Sequence, residues 1–305
     1  MAEITAQMVK ELREKTNAGM MDCKKALSAT NGDFEAAINW LREKGLAAVA
    51  KKAGRVAAEG LVGVAADGGA GAMVEVNCET DFVAKNPDFQ GFVATLAKAV
   101  LTGKPADVDA LLAQKLGNVT VKDALSEKVA TIGENMTIRR CTRAEGVLGT
   151  YTHMGGSIGV MVELTVADAG KAGNESVKLL AKDVAMQVAA GNPLYLRRED
   201  ADAKTLDNER NIAREKAKAD GKPEKILDKI VEGAVNKFLA ESTLLEQAFI
   251  KDDKLTVQKH IDKVAKELGT TIGVKAMHRF KVGEGIEKKA DDLAAEVAKM
   301  VGPKA

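Results

Sequence analysis

Gly60-Leu61-Val62-Gly63, Gly68-Gly69 and Met73-Val74-Glu75-Val76 recur in the same order as Gly146-Val147-Leu148-Gly149, Gly155-Gly156 and Met161-Val162-Glu163-Leu164. A repeat of this length marks a duplicated unit, and that duplication decides the fold. In each copy a Gly-rich turn separates two short β-prone runs, the pattern of a β-hairpin. An amphipathic helix follows each hairpin, with Phe89, Phe92, Val93, Leu96 and Val100 on one face of the first, and Val177, Leu180, Ala181, Val184 and Val188 on one face of the second. A further strand closes each copy, with Ile132-Gly133-Glu134-Asn135-Met136-Thr137-Ile138-Arg139 corresponding to Ile272-Gly273-Val274-Lys275-Ala276-Met277-His278-Arg279. The pattern predicts an α+β fold whose centre is two related α/β-sandwich subdomains, each a small three-stranded antiparallel sheet packed under helices.

Outward from this pair, the second copy carries an insertion over about 200–245. It reads as two helices joined by Asp220-Gly221-Lys222-Pro223, with Ile226, Ile230, Val231, Ala234 and Phe238 on one face of the second helix. An antiparallel helical hairpin (coiled coil) results, either a packing element or a protruding contact arm. At the N-terminus Thr5 caps a helix carrying Met8, Val9 and Leu12, Asn17-Ala18-Gly19 breaks it, and a second helix runs from Met20 to Leu27 before Asn31-Gly32. Asp33 caps a third helix, with Phe34, Ala37, Ile38 and Leu41 at helical spacing, and Gly45 stops it. The Ala- and Lys-rich stretch from Leu46 to Ala58 reads as a linker or an exposed helix. A terminal helix is predicted over Asp291 to Met300, with Leu293, Val297 and Met300 in register, behind a turn at Gly283-Glu284-Gly285. The expected organisation is a three-helix, UBA-like module over 1–54, a first core subdomain over 55–145, a second over 146–282 with its hairpin insertion, and a C-terminal helical module over 283–305.

The chain has 305 residues, long enough for two or three compact units, and its 46% hydrophobic and 29% charged content is ordinary for a globular protein. With 45 basic and 44 acidic residues no global field draws it to nucleic acid or an anionic membrane, and 3% aromatic content leaves few platforms for stacking bases. Cys23, Cys78 and Cys141 are odd in number and far apart, which fits a reducing compartment better than a disulfide framework. No secretory signal is evident, and no stretch approaches the ~20 apolar residues of a membrane span. A cytoplasmic location is expected.

Chemical motifs are scarce. Gly103-Lys104, Gly170-Lys171 and Gly221-Lys222 are followed by Pro or Ala where a phosphate-binding loop needs a Mg²⁺-binding hydroxyl. His153, His260 and His278 are dispersed, and no Cys/His cluster has metal-ligand spacing. His260 and His278 read as structural, whereas His153, beside Tyr151 and Met154 at a hairpin tip, reads as a contact residue or a solvated turn. No catalytic residue, metal or cofactor is expected, and the chain does not read as an enzyme. Met20 and Met21 are either core filler or an adaptable apolar surface, and regular helix geometry forces one of them outward. The loop Thr80-Asp81-Phe82-Val83 has no counterpart in the second copy, which carries Thr165-Val166-Ala167-Asp168 instead. Either Phe82 is an exposed wedge, or it turns back into the core while Asp81 caps the helix beginning near Pro87.

Thr16 to Leu27, Glu75 to Lys85, Ile132 to Arg140 and Val282 to Lys288 together closely resemble the bacterial elongation factor Ts family, in the same order over essentially the whole chain. The resemblance implies guanine-nucleotide exchange on elongation factor Tu, with GDP released so that GTP is loaded for translation. It further implies that Thr80, Asp81, Phe82 and Val83 disturb the Mg²⁺ site of that partner. Phe82 would be the wedge between partner helices, and Asp81 a polar lever near the displaced metal shell. Met20, Met21 and His153 would be further contacts, with the terminal helix supporting another. No direct nucleic-acid or membrane contact is implied. Self-association through the helical hairpin is a further expectation. Two rivals, an enzyme of unknown class and a nucleic-acid-binding module, are disfavoured by the missing catalytic constellation and the near-zero charge.

Overall fold

The computed structural model describes residues 4–16 and 18–287. Strands β1 (Glu59–Asp67) and β2 (Ala70–Cys78) form an antiparallel hairpin, closed by Gly68 and Gly69 at φ of 55° and 84°. Two successive positive-φ residues give the turn a twist that matches the strands, and glycine adopts that backbone without a Cβ clash. Two short strands, β3 (Lys115–Leu116) and β4 (Val119–Thr120), pair with each other, and β5 (Met136–Glu145) completes the first sheet in the order β1-β2-β5. In the second copy β6 (Val147–His153) and β7 (Ile158–Val166) form the hairpin. Strands β8 (Ala248–Phe249) and β9 (Asp252–Thr256) pair apart from the sheet, and β10 (Ile272–Lys281) joins it to give β10-β7-β6. The duplication read from the sequence is therefore a duplication of topology, and the fold is α+β.

The closing strand begins later than its sequence suggests. Helix α7 (Val121–Ile132) ends at Gly133, φ 90°, and α11 (Val257–Leu268) ends at Gly269, φ 60°. Ile132 thus belongs to a helix, not a strand. Matching the two left-handed glycines places Met136, rather than Ile132, opposite Ile272. In that alignment both copies bulge at the same place, Arg139 standing unpaired in the first sheet and Lys275 in the second.

Both central strands are buried on both faces. Alternation sends Val74 and Val76 into a core with Phe89, Phe92 and Leu96, and sends Val160 and Val162 into a core with Leu180 and Val184. The opposite faces meet each other: Val62, Met73 and Ala144 of the first sheet pack on Met161 of the second. By the same alternation Glu75 and Glu163 point into that junction, and both are buried.

Preceded by the short helix α4 (Asp81–Ala84), α5 (Pro87–Gly103) covers the first sheet; α6 (Val108–Ala113) and α7 close its flank. Helix α8 (Glu175–Gly191) covers the second sheet. The repeated glycines Gly63 and Gly149 make these contacts close: a Cβ on Gly63 would stand 2.9 Å from the Val93 carbonyl oxygen, and one on Gly149 2.0 Å from that of Ala181. Because the obstacle at Gly149 is helix backbone, Gly149→Ala must push α8 off the sheet, an overpacking loss of about 1–3 kcal/mol or more. Urea unfolding should show that loss, whereas Gly91→Ala, where an added methyl meets no neighbour within 4 Å, should leave the midpoint unchanged or raise it. An unaltered midpoint for Gly149→Ala would contradict the close strand–helix contact.

The N-terminal module comprises α1 (Ala6–Thr16), α2 (Met20–Ala29) and α3 (Phe34–Lys52) around Val9, Leu12, Cys23, Ala26, Leu27 and Ala37. Thr5 Oγ1 accepts from the Met8 amide and Asp33 Oδ1 from the Ala36 amide, as the capping pattern predicts. Gly45, in contrast, is not a stop. Helix α3 continues through it to Lys52, and Gly45 lies buried against α7, where an added Cβ would sit 3.5 Å from that of Ala130. That is ordinary packing distance, and Lys52 Nζ extends the contact between the two helices by donating to the Val129 carbonyl.

The insertion is the expected antiparallel hairpin, α9 (Ala203–Ala219) and α10 (Glu224–Ser242), turning at Gly221 with φ 70°. Of the seam predicted, Val231 is buried as expected, but the rest of the line shifts. Leu227, Val231, Val235 and Leu239 carry it at i, i+4 spacing, while Ile226 is exposed and Ile230, Ala234 and Phe238 are half-buried. The helix predicted over 291–300 lies outside the described residues.

Candidate functional site

Thr80 begins the turn that sets this loop apart from its counterpart. Its hydroxyl oxygen accepts from the Val83 amide at 3.4 Å, capping α4, and its hydroxyl hydrogen goes to Glu134 Oε1 at 2.6 Å. Val83 and Ala84 are buried in the first core beside Val74 and Phe89. With ~100° between successive helical residues, anchoring Val83 and Ala84 inward turns Asp81 and Phe82 outward. Phe82 is accordingly 80% exposed. The ring does not turn back into the core. Nor does Asp81 cap the helix starting at Pro87: Asn86 does, through its side chain and the Asp88 amide.

Asp81 instead pairs with Lys85 at 2.6 Å, one helical turn on, and the hydrogen bond from Lys85 holds its carboxyl below the usual carboxylate range. Directly beneath, Cys78 donates its thiol to the Thr80 carbonyl at 3.2 Å. Burial, then the charges of Glu134 and Glu59, push that thiol up to about 12, so it is neutral and inert at physiological pH. The loop offers an apolar ring, a paired carboxylate and no nucleophile.

Met20 and Met21 open α2 and are both exposed, at 59% and 63%, because Cys23, Ala26 and Leu27 take the core face. The sequence required only one of them outside. His153 ends β6 at the tip of the second hairpin, its Nδ1 3.2 Å from the Tyr151 hydroxyl, next to exposed Met154. Among the described residues no hydrogen bond, ion pair or ring contact joins the wedge-candidate loop, Met20 and Met21, and His153 to one another. His278 sits 2.9 Å from Glu163, and His260 stacks on Phe249 at 4.2 Å, where burial lowers its basicity; both occupy structural settings. Among the described residues no group of His, Cys, Asp and Glu could hold a metal ion, and no helix is long and apolar enough to cross a membrane.

A family model described as "Elongation factor TS" matches residues 79–284, and one described as "UBA/TS-N domain" matches residues 21–41. The chain belongs to the elongation factor Ts family. Elongation factor Ts of Trichlorobacter lovleyi is 50% identical to it over 309 residues, 99% of each chain. That of Paramagnetospirillum magneticum is 51% identical over 313 residues, 99% of this chain and 98% of the relative. That of Clostridium perfringens strain SM101 is 51% identical over 305 residues, 98% of this chain and 99% of the relative. As a family member the chain is a translation elongation factor. The elongation factor Ts match begins at Glu79, immediately before Thr80, and spans the second copy with its helical hairpin.

Sequence reasoning missed one set of residues at the loop. Glu79, Glu134 and Asn135 hold its base, and the only signal available was an acid directly after a helix-ending glycine.

Proposed function

We propose that this member of the elongation factor Ts family is a guanine-nucleotide exchange factor that binds GDP-loaded elongation factor Tu and promotes GDP release, so that GTP binds in its place. Phe82 inserts between partner helices, and Asp81, leaving Lys85, acts as a lever near the partner's Mg²⁺. Thr80 and Val83 hold both in place. Mg²⁺ bridges the GDP phosphates to the partner, so moving its ligands removes the largest positive charge retaining an anion. Met20, Met21 and His153 make further contacts. The factor itself does no covalent chemistry, needs no cofactor, touches neither nucleic acid nor membrane, and works in the cytoplasm as units divided near 54, 145 and 282. Self-association through the helical hairpin belongs to the same reading.

The observation that carries the reading is a phenyl ring 80% exposed on a turn anchored from below. A large apolar side chain held in water, on the loop that one copy has and the other lacks, is what a wedge requires. Energetics ask for more than the wedge. Accelerating release ~10⁴-fold needs about 5.5 kcal/mol of preferential binding to the nucleotide-free partner. A single buried aromatic supplies only ~1.5–3 kcal/mol. The exposed methionines and the hairpin tip supply additional places of contact. By linkage, GDP and this protein weaken each other's binding to the partner by the same factor.

Elongation factor Tu loaded with fluorescent GDP tests the reading. Adding the purified chain with excess unlabelled nucleotide should accelerate signal decay in a saturable way, and an unaccelerated decay would refute it.

A further inference from the structure

The stretch Gly133-Glu134-Asn135, expected in a strand, forms the connection between α7 and β5, and Gly133 at φ 90° turns it toward the wedge loop. There Glu134 Oε2 accepts from the amides of Glu79 and Thr80, each at 3.1 Å, and Oε1 accepts from the Thr80 hydroxyl at 2.6 Å. The loops answer each other. Glu79 Oε1 accepts from the Asn135 amide, and the buried Asn135 side chain donates to the Arg55 carbonyl at 2.8 Å. Arg55 Nη1 closes the ring at 3.5 Å from Glu79.

The consequence lies in the Thr80 hydroxyl. Because its hydrogen is committed to Glu134, its lone pair is free to face the Val83 amide and cap α4. Helix α4 has four residues, too few to sustain a helix alone, since nucleation is unfavourable and no propagation follows. Phe82, mostly in water, cannot hold its own direction either. What fixes it is the cap above and the anchoring of Val83 and Ala84 below. Ordering the turn before docking removes that entropic cost from the encounter.

We infer that Glu134 is a positioning residue for exchange: its carboxylate locks the Thr80–Val83 turn so that Phe82 meets the partner already aimed. The inference rests on the wedge reading and names a residue, far beyond Phe82 in sequence, on which that reading depends.

The experiment is a double-mutant cycle in the fluorescent-GDP assay, with Glu134→Ala, Phe82→Ala and both together. Glu134→Ala should lower the saturating release rate about 10-fold, the scale of loss when a positioned group drifts, with cooperative melting retained. In the Phe82→Ala background the same change should cost less than about 2-fold, because the ring it aims is gone. Amide exchange at Thr80 and Val83 should speed up in Glu134→Ala, a readout independent of the partner. Glu134→Gln, which keeps one acceptor oxygen, should recover part of the rate; it also serves as the probe if the alanine variant does not fold.

Losses that multiply in full, or a Glu134→Ala rate equal to wild type, would overturn the role of Glu134 while leaving the wedge standing. Wild-type exchange by Phe82→Ala would refute the wedge reading itself, and the positioning role with it.

Discussion

Phe82→Ala should slow stimulated GDP release from elongation factor Tu by about 10- to 100-fold and leave the melting temperature of the free protein unchanged. The rate follows from area: burying a phenyl ring contributes ~1.5–3 kcal/mol, and each 1.4 kcal/mol is a factor of ten. The stability follows from exposure, because a ring 80% in water loses nothing on unfolding that alanine would keep. Val83→Ala provides the contrast. Val83 is buried against the first core, so its truncation should lower stability as well as rate. Stopped-flow exchange and thermal melting on both variants separate the two roles. Unchanged kinetics for Phe82→Ala, or a collapsed melt, would remove the ring from the mechanism. The effect stays below the full acceleration because the remaining contact points still bind.

Much of this arrangement was legible in the sequence for a local reason. Alternating strands and helical stripes have periods of ~2 and ~3.6 residues, so the hairpins and the helices beginning at Pro87 and Glu175 declared themselves, twice over. What escaped depends on distant partners. Gly45 looks like a stop because glycine often ends helices, yet Ala130 across the interface makes it a contact residue inside a longer helix. Ile132 is as acceptable in a strand as in a helix, and only the left-handed Gly133 after it settles the boundary. The loop carrying Phe82 offered two readings because both an exposed ring and a capped, buried one satisfy local chemistry. The decision came from Val83 and Ala84 reaching the core. Glu134 was illegible for the strongest version of the same reason, its partner Thr80 lying 54 residues away.

Glu75→Ala should lower stability by about 3 kcal/mol, more than the corresponding change at Glu163, although the two residues occupy equivalent positions in the duplicated sheets. Glu75 has no exposed surface, and its carboxylate meets three donors: Arg139 Nη1 at 3.1 Å, Arg140 Nε at 2.6 Å and the Gly283 amide at 2.9 Å. The same guanidiniums reach onward, Arg139 to the Glu284 carbonyl and Arg140 to that of Lys281 at 3.2 Å, while Arg140 lies over the Phe280 ring at 4.3 Å. One buried anion thus ties the first sheet to the chain leaving the second. Removing one partner of a buried ion pair costs ~3–5 kcal/mol, and guanidiniums 29% and 31% exposed recover part of that from water, which sets the lower figure. Glu163 is held within its own sheet by Lys275 and His278, each at 2.9 Å. Burial pushes its carboxyl up, but those hydrogen bonds outweigh it and hold the group below its ordinary range. Its contribution is therefore complete above the ordinary carboxylate pKa of ~4.3 and lost as pH falls through the lower folded value. Urea midpoints at neutral pH should rank wild type above Glu163→Ala above Glu75→Ala, and the Glu163 variant should lose part of the acid dependence of the wild type. Equal losses at the two positions would mean that the link between copies contributes nothing. Amide exchange at Gly283 locates the effect, since that N–H loses its acceptor in Glu75→Ala and keeps it in Glu163→Ala.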